Sequence, residues 1–381
     1  MILRSKSWPE GIPLIYSLIA FISYNIRHGR PEFFPTDQRS GLRISTIPIK
    51  GSTPLYSQPA HIGSNMRSIG IFPASGGLGT STYTHLLKSV PNDNVTLISR
   101  YPEKVPDTYT KNGVRLRKAS YESDPKELEI AFTGIEVLFL ISYPSHVHDY
   151  RVKVQLPAID AAVRAGVKHI FYSSLGFAGN LSDQSLAVVM QAHLDSEKHL
   201  ASVASSRQDV TYTSIREGLY SESFPIYTAF FDPENPVDEI LIPHSGSGPG
   251  VSWVKRDELG EATSMLIQDY AAQPDGFKYT NSKLLLTGNK PWSLADTVKC
   301  LGETIGKEVR IREVTVDEYA AQPQVEGRFG SMEMAKSWAT AWEAIRAGET
   351  AIVTPTLAEI LGRTPEDFDK TIKDLIGQAR D

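Results

Sequence analysis

A glycine-rich turn between a short strand and a helix is the feature that most constrains the fold of this chain. The turn spans residues 73–79 (Pro-Ala-Ser-Gly-Gly-Leu-Gly), and an apolar run at 68–73 leads into it. Beyond the turn, runs with few charges alternate with helical stretches as far as residue 216. Strands with few charges indicate burial on both faces, which is typical of a parallel sheet flanked by helices. The alternation therefore predicts an α/β fold with a doubly wound parallel sheet of the Rossmann type.

The spacing of the apolar runs predicts six strands, the helices between them and a less regular C-terminal region. The predicted strands are 68–73, 95–99, 114–119, 137–141, 169–173 and 210–216. The predicted helices are 81–89, 125–132, 152–165 and about 192–205. After residue 216 we expect a Pro/Gly-rich section at 231–250, a helix following 256–257, a strand at 283–287 and then helices to the C terminus. This pattern predicts a Rossmann-type domain at 66–220, with a smaller mixed α/β substrate region at 221–381 packed on it.

The first 65 residues differ in composition from the rest of the chain. An apolar run at 12–26 lies between basic residues, but it is shorter than the roughly 20 residues that a membrane span requires. Residues 31–65 are rich in Pro, Ser and Gly without a sustained apolar period, which is typical of disorder. A membrane or secretory signal, an organelle-targeting extension and a leader without function all fit this pattern. We therefore expect a disordered leader or targeting extension before Met66.

Charge and cysteine content exclude several classes of protein. Cys300 is the single cysteine, so the chain forms no intrachain disulfide and holds no thiolate metal cluster. A reducing compartment, the cytoplasm, is expected. Residues 1–65 contain seven Lys/Arg and three Asp/Glu, a charge of +4, whereas the remainder carries −9. An acidic body argues against general nucleic-acid binding, and no HExxH motif supports a metal site.

The glycine-rich turn has the composition of a pyrophosphate-binding loop. Glycines let a backbone approach a phosphate closely, and the free N–H groups of a helix N-terminus bind the anion. Because this turn follows a strand and opens a helix, it has the context that such binding requires. The predicted cofactor-binding residues of the turn are Ser75, Gly76, Gly77, Leu78 and Gly79. The alternative is a turn that serves only to pack the helix on the sheet.

The end of the second predicted strand indicates which dinucleotide binds. NAD-binding proteins usually place an acidic residue there for the ribose 2′-hydroxyl, whereas an Arg accommodates the 2′-phosphate of NADP. Here the strand ends at Ser99-Arg100, and Lys104 follows four residues later. A guanidinium is suited to paired phosphate contacts. We therefore predict NADP(H) as the cofactor, with Arg100 and Lys104 at its 2′-phosphate; a solvated basic loop is the alternative.

Several segments resemble the NmrA-like family of atypical short-chain dehydrogenases/reductases. Gly76 and Gly79 match the second and third glycines of the family's G-x-x-G-x-x-G pattern, whereas Pro73 replaces the first. Similar stretches follow at 165–174 (AGVKHIFYSS), 193–198 (HLDSEK), 212–222 (YTSIREGLYSE) and 253–260 (WVKRDELG). The second and third of these look like segments of NAD(P)H:quinone oxidoreductases and triphenylmethane reductases. The resemblance covers nearly all of residues 66–381 and implies an oxidoreductase.

The resemblance also implies where the nicotinamide lies and which groups act on the substrate. Ser142 follows the fourth strand, where related proteins pass the nicotinamide ribose, and Ser173 lies in the matching segment of the fifth. His193 occupies a helix position where quinone-reductase-like members also have His, so it is a candidate proton donor. Glu197, one helical turn later, could orient or charge it. Tyr220, after the sixth strand, could stack on a flat substrate.

Alternatives to these catalytic roles stay open. His193 could be a surface residue paired with Glu197, Tyr220 could line the core, and a quinone could take its proton from bulk water. The Tyr-x-x-x-Lys motif of ordinary short-chain dehydrogenases has one literal match, Tyr279 to Lys283, far too late in the chain. We reject this match as chance, so alcohol oxidation by that mechanism is not expected.

Two classes of function follow from these observations. The first is an NADPH-dependent oxidoreductase that reduces quinones, enones or similar flat conjugated carbonyls by hydride transfer. The second is a regulator, like NmrA itself, that senses NADP(H) and binds a protein partner without turnover. The segments around His193 and Tyr220 favour the enzyme, which is expected to be a monomer or homodimer. Membrane association is not expected unless residues 12–26 are retained as an anchor.

Overall fold

The centre of the molecule is a seven-stranded parallel sheet, in a computed structural model that describes residues 66–378. The interpretations of residues 1–65 lie outside the described residues. The strands are β1 (Ile69–Phe72), β2 (Val95–Ser99), β3 (Arg115–Lys118), β4 (Val137–Ile141), β5 (His169–Leu175), β6 (Thr211–Glu217), β7 (Glu239–Ile242), β8 (Ser282–Leu286) and β9 (Arg310–Glu313). The central sheet has the order β3-β2-β1-β4-β5-β6-β8, with every pair parallel. The predicted doubly wound parallel sheet is confirmed.

Helices cover both faces of this sheet. They are α1 (Gly77–Leu86), α2 (Asp107–Lys111), α3 (Pro125–Phe132), α4 (His148–Arg164), α5 (Val188–Ser206), α6 (Phe224–Tyr227), α7 (Arg256–Ala272), α8 (Leu294–Ile305), α9 (Val316–Ala320), α10 (Pro323–Phe329), α11 (Met332–Arg346), α12 (Thr356–Leu361) and α13 (Phe368–Gln378). Helices α1 and α7 pack against each other on one apolar layer, whereas α3, α4 and α5 pack side by side on the other. Strands β1, β2 and β4 are buried almost throughout, as a sheet between two layers requires.

Local pattern located the elements better than it located their ends. The predicted helix 125–132 and strands 95–99 and 137–141 match the observed bounds. Helix α5 begins at Val188, about four residues earlier than expected. The amide of Val188 donates to the side chain of Thr340 at 2.9 Å, so a residue of α11 satisfies the free amide at this helix end. A partner 152 residues away in the chain leaves no signal in the local sequence.

The C-terminal region contains a second, two-stranded parallel sheet of β7 and β9. The sequence predicted a Pro/Gly-rich section around β7 and helices alone after residue 287, and that expectation was wrong at β9. Strand β9 has the sequence Arg-Ile-Arg-Glu and is mostly exposed, so it lacks the apolar alternation by which strands are recognised. Its strand conformation depends on pairing with β7, which is formed about 70 residues earlier.

The strand order places a crevice at the carboxyl ends of β1 and β4. The chain runs outward from β1 to β3 and then returns to β4 on the other side of β1, which is the switch point where ligands bind in open α/β sheets. The predicted boundary between two domains at residue 220 remains a prediction. Two elements that follow this residue nevertheless belong to the first unit, since β8 is a strand of the central sheet and α7 packs on one face of it. Within residues 66–378, no helix is long and apolar enough to cross a membrane.

Candidate functional site

The glycine-rich turn joins β1 to α1 with its backbone facing the crevice. Gly76 has φ 108°, a conformation that an L side chain rarely adopts. A Cβ at Gly79 would lie 2.7 Å from the carbonyl oxygen of Ala74, so this glycine lets α1 pack closely on the end of β1. Ser75 and Gly76 are exposed, and α1 has no side-chain cap and no acidic residue in its first turn. The helix amides of Gly77 and Leu78 therefore remain available to an anion.

A cation from the C-terminal half of the chain lies against this turn. A Cβ at Gly77 would come within 2.5 Å of the guanidinium carbon of Arg256, the first residue of α7. The backbone amide of Arg256 donates to the carboxylate of Glu222 at 3.1 Å. No carboxylate among residues 66–378 forms an ion pair with the Arg256 guanidinium. The sequence singled out the 253–260 segment only by family resemblance, and the fold brings its arginine to the glycine-rich turn.

Both residues predicted for the 2′-phosphate meet at the end of β2. Lys104 Nζ lies 4.7 Å and the Arg100 guanidinium 5.9 Å from the ring centre of the exposed Tyr101. Arg100 also donates to Glu122 at 2.6 Å, and the other oxygen of that carboxylate accepts from the Tyr143 hydroxyl at 2.8 Å. Arg100 lines a surface cavity whose wall includes the further basic residues Arg117 and Lys118. The end of β2 is therefore basic, but it holds a carboxylate that the local sequence did not predict.

The two predicted serines lie at the carboxyl ends of neighbouring strands. Ser142 directly follows β4 and is half-buried. Ser173 lies in β5, paired with Ile141 of β4 on one side and Ile215 of β6 on the other. Ser173 is only 3% exposed and lies close enough to the buried carboxyl of Glu217 to lower its pKa. Ser142 is thus the more accessible of the two to a ligand in the crevice.

His193 is buried within a polar cluster on α4, α5 and β5. It is 4% exposed, so the interpretation as a surface helix residue is wrong. Arg151 Nη2 lies 2.7 Å from its Nε2. Because a guanidinium only donates, Nε2 accepts, and the ring proton on Nδ1 points to the Tyr172 hydroxyl at 3.2 Å. Burial and the Arg151 charge hold the pKa of His193 well below its ordinary value, so the ring is neutral at pH 7.

Glu197 does not orient or charge His193, although both residues lie on α5. Its carboxylate forms a paired contact with Arg216 of β6, at 3.0 Å to Nε and 2.6 Å to Nη2. The hydroxyls of Ser174 and Ser214 donate to it at 2.7 and 2.8 Å. Helical spacing predicted that Glu197 lies on the same side of α5 as His193. In the structure, however, Glu197 pairs with Arg216 of the sheet below α5. The predicted role of Glu197 is therefore wrong, and the ion pair ties α5 to β6.

Glu217 and Tyr220 form a protonatable pair at the carboxyl end of β6. The Tyr220 hydroxyl donates a hydrogen bond to Oε2 of Glu217, a residue that is 1% exposed. The other carboxyl oxygen, Oε1, has no hydrogen-bond partner among the described residues. Burial raises the pKa of Glu217 to about 8, against smaller opposing effects of hydrogen bonding. Burial and then the neighbouring Glu217 raise the pKa of Tyr220 above its usual range. The sequence singled out Tyr220 by resemblance, but no motif marked Glu217 as titratable near neutral pH.

Comparison with known proteins gives consistent relatives. The sequence profile of the NmrA-like family matches residues 65–351. An NmrA-like family domain-containing oxidoreductase of Aspergillus flavus is 31% identical over 311 residues, which is 81% of this chain and 94% of that protein. Quinone oxidoreductase 2 of Escherichia coli is 30% identical over 253 residues, 66% of this chain and 80% of that protein.

Solved structures give the same picture. Triphenylmethane reductase of Citrobacter sp., complexed with NADP(H), superposes with a TM-score of 0.64 and 26% identity, covering 81% of this chain and 99% of that one. An NADPH-dependent quinone oxidoreductase from Escherichia coli, complexed with NADPH, gives a TM-score of 0.67 and 25% identity over the same shares. These proteins share the fold over nearly their whole length.

Proposed function

The chain belongs to the NmrA-like family, and from that premise we propose that it is an NADP(H)-dependent oxidoreductase that reduces a quinone, enone or similar conjugated carbonyl. The relatives named as oxidoreductases, and the two reductase structures with NADP(H) or NADPH bound, support the reaction class and the cofactor. The flat conjugated substrate is inferred from the names of the quinone and triphenylmethane reductases.

The donor set of the crevice fits a dinucleotide phosphate. The amides of Gly77 and Leu78 at the start of α1 would hold the pyrophosphate, and the Arg256 guanidinium lies beside them. A cation at the N-terminus of a helix is electrostatically unfavourable by itself, and a bound diphosphate would compensate both charges. Arg100 and Lys104 would hold the 2′-phosphate, which then competes with Glu122 for the guanidinium.

The observation that carries the proposal is that a chain of neighbouring side chains connects the glycine-rich turn to a candidate proton donor. Arg256 lies against Gly77 and is close enough to Tyr220 to oppose the rise of the tyrosine pKa. Tyr220 in turn is bonded to Glu217 at the end of β6. Anion-binding amides and a protonatable pair thus share one edge of the sheet, which a reductase needs and a turn that serves only packing does not.

Hydride transfer to a carbonyl compound requires a positioned substrate and a proton for its oxygen. When bound, NADPH supplies the hydride. Tyr220 is half-buried and can face a substrate, whereas both ring nitrogens of the neutral His193 are already engaged. We therefore assign proton donation to Tyr220 and give His193 the role of holding Arg151 and Tyr172 in place beneath the crevice.

Turnover and binding measured side by side test this function. The full chain is mixed with NADPH or NADH and with benzoquinones, naphthoquinones and open-chain enones, and cofactor oxidation is followed by absorbance. Separate fluorescence titrations give the Kd of each cofactor. Turnover with NADPH supports the proposal, and absence of NADPH binding refutes it.

Two glycine variants provide a matched control for the binding site. Gly76→Ala and Gly276→Ala both place a side chain at a positive φ with no neighbour within 4 Å, so each introduces similar backbone strain. Only Gly76 belongs to the phosphate-binding turn. We expect Gly76→Ala to weaken NADPH binding and Gly276→Ala to leave it unchanged.

A second function, NADP(H) sensing without turnover, is favoured by one observation. His193, the proton donor expected from family resemblance, is neutral and has both nitrogens engaged. A sensor needs the phosphate-binding turn but no proton donor. NADPH binding by the full chain without turnover of any compound in the panel would identify this function.

A further inference from the structure

We infer that Glu217 is a proton reservoir that supplies the substrate oxygen through the hydroxyl of Tyr220, a role that rests on the proposed reductase function. Glu217 ends β6 and is 1% exposed, so it cannot touch a ligand in the crevice directly. Tyr220 is partly exposed and hydrogen-bonds to Oε2 of Glu217. A proton that leaves Glu217 toward the crevice must therefore pass through the tyrosine.

The surroundings of this pair keep a proton on it. On β5, the uncharged Leu175 lies opposite Glu217 in the ladder and Ser173 is close to its carboxyl, and no cation forms an ion pair with that carboxyl among the described residues. Around Tyr220, Arg256 of α7 favours the phenolate and Glu222 opposes it. The buried carboxyl accordingly has a pKa of about 8 and is mostly protonated at pH 7.

The neighbouring arginine of β6 does not neutralise Glu217. Successive side chains of a strand point to opposite faces of the sheet, and Arg216 is turned toward α5, where it pairs with Glu197. On the other side of β6, Leu286 of β8 lies opposite Glu217 in the ladder and carries no charge. The end of β6 thus holds one arginine that is paired with a carboxylate of α5 and, on the opposite face of the sheet, one carboxyl that has no ion-pair partner among the described residues.

The step balances in atoms and electrons. The substrate carbon accepts a hydride, and with it two electrons, from the reduced nicotinamide, which is oxidised. The O–H bond of Tyr220 breaks and its proton goes to the substrate oxygen. The O–H bond of the Glu217 carboxyl breaks in turn, and its proton re-forms the Tyr220 hydroxyl. After the product leaves, Tyr220 passes a proton to the Glu217 carboxylate and takes one from water in the crevice, which restores both groups before the next turnover.

The pH profile of turnover tests the relay. Because only protonated Glu217 can supply a proton, kcat of the wild type is expected to fall as pH rises through about 8. Glu217→Gln keeps the shape and neutrality of the protonated acid but has no proton to give. We expect this variant to bind NADPH normally, to lose roughly 10²-fold in kcat and to lose the alkaline fall. Tyr220→Phe is expected to show a similar loss.

Two controls separate the relay from general effects of substitution. Glu234→Gln makes the same change at an exposed loop position, and Tyr227→Phe removes a buried hydroxyl that lies in the C-terminal core. Both are expected to retain the wild-type kcat and pH profile. If Glu217→Gln also retains them while the wild type turns over substrate, Glu217 is only structural and the inference is overturned.

A measurement without substrate keeps the inference separate from the proposed function. Infrared difference spectra of the cofactor-free protein, recorded from pH 7 to pH 9, should show a protonated carboxyl band that disappears near pH 8 and is absent from Glu217→Gln. If the band is absent from the wild type, or if the same band disappears in both the wild type and Glu217→Gln, Glu217 is not the protonated group and the inference is overturned. This outcome does not depend on turnover. If the Glu217 band titrates near pH 8 but the protein turns over no substrate, the protonated carboxyl is supported and the proposed reductase function is refuted.

Discussion

At the scale of single residues, burial decides the protonation of the groups around the strand ends. Burial raises the pKa of Glu217 to about 8, whereas burial and the Arg151 charge lower the pKa of His193. The carboxyl is therefore mostly protonated at pH 7, and the imidazole lacks the extra proton of an imidazolium. At pH 7 Glu217 therefore keeps a proton that an exposed glutamate would have lost, whereas His193 carries no positive charge.

Arg100 is the residue on which the proposed preference for NADP(H) over NAD(H) depends. In Arg100→Asp a carboxylate replaces the guanidinium beside Glu122, so a 2′-phosphate would meet two negative charges. We expect the Kd for NADPH to rise roughly 10²-fold, since a charge-assisted hydrogen bond contributes about 1.5–3 kcal/mol, and the Kd for NADH to change little. Fluorescence titration with both cofactors measures this.

The control for Arg100→Asp is the same charge change in α10, at an arginine that takes no part in the proposed 2′-phosphate contact. Arg328→Asp alters α10, far along the chain from the end of β2, and is expected to leave both affinities unchanged. An NADPH affinity that is the same in Arg100→Asp and in the wild type would contradict the assignment of the 2′-phosphate to this residue.

At the scale of elements, the crossing of α1 and α7 positions the two sides of the proposed phosphate site. A Cβ at Gly260 of α7 would lie 2.2 Å from Oγ of Ser81 on α1. The same Ser81 hydroxyl donates to the carboxylate of Asp257 at 2.6 Å. The missing side chain at Gly260 thus permits the close approach that carries Arg256, at the start of α7, to the turn at Gly77.

Alanine at Gly260 should therefore push the two helices apart. Overpacking costs about 1–3 kcal/mol, which exceeds the gain of up to about 1 kcal/mol from replacing a helical glycine. We expect Gly260→Ala to be less stable in urea unfolding and to bind NADPH more weakly. Gly327→Ala, in α10 with no neighbour within 4 Å, is the matched control and should be equal to or more stable than the wild type. A Gly260→Ala protein as stable as Gly327→Ala would show that the crossing is not tight.

At the scale of the whole molecule, the free energy of unfolding should report the proton on Glu217. Its pKa is raised from 4.5 to about 8 on folding, so the native state holds a proton that the unfolded chain has released. The resulting stabilisation is complete below pH 4.5 and is lost as pH rises through 8. Between pH 7 and pH 8 the wild type is expected to lose about 1 kcal/mol.

The other titrating groups are common to the wild type and Glu217→Gln, so the comparison of the two proteins isolates the contribution of Glu217. The pKa values of His169 and His193 are lowered by burial, so both are neutral above pH 7 in the folded chain, and unfolded imidazoles are largely neutral there too. Urea unfolding of the wild type and Glu217→Gln at pH 7 and pH 8 measures the effect, and the variant should show a smaller fall. Parallel pH dependences in the two proteins would mean that Glu217 titrates normally.

Much of the architecture was predictable because the residues that determine each strand, helix or turn lie within a short stretch of the chain. The apolar runs of β1, β2, β4, β5 and β6, and the glycines at 76 and 79, lie next to the elements that they specify. Period, turn chemistry and the order of strands and helices therefore indicated a doubly wound parallel sheet and a phosphate-binding turn. Residue types alone also placed Arg100 and Lys104 together, since both lie within five residues of the strand end.

The remaining features depend on partners that are distant in sequence. Strand β9 is defined by pairing with β7, and His193 is neutral because it is buried and because Arg151, 42 residues earlier, lies beside it. The fold likewise moves Glu197 to Arg216 and brings Arg256 to Gly77. The burial and pairing of a side chain depend on which residues pack against it, and the local sequence does not show which distant residues those are. The sequence by itself determined the parallel sheet and predicted where a dinucleotide would bind, and the tertiary structure decided which side chains are buried and paired at that edge of the sheet, because burial and pairing depend on distant parts of the chain.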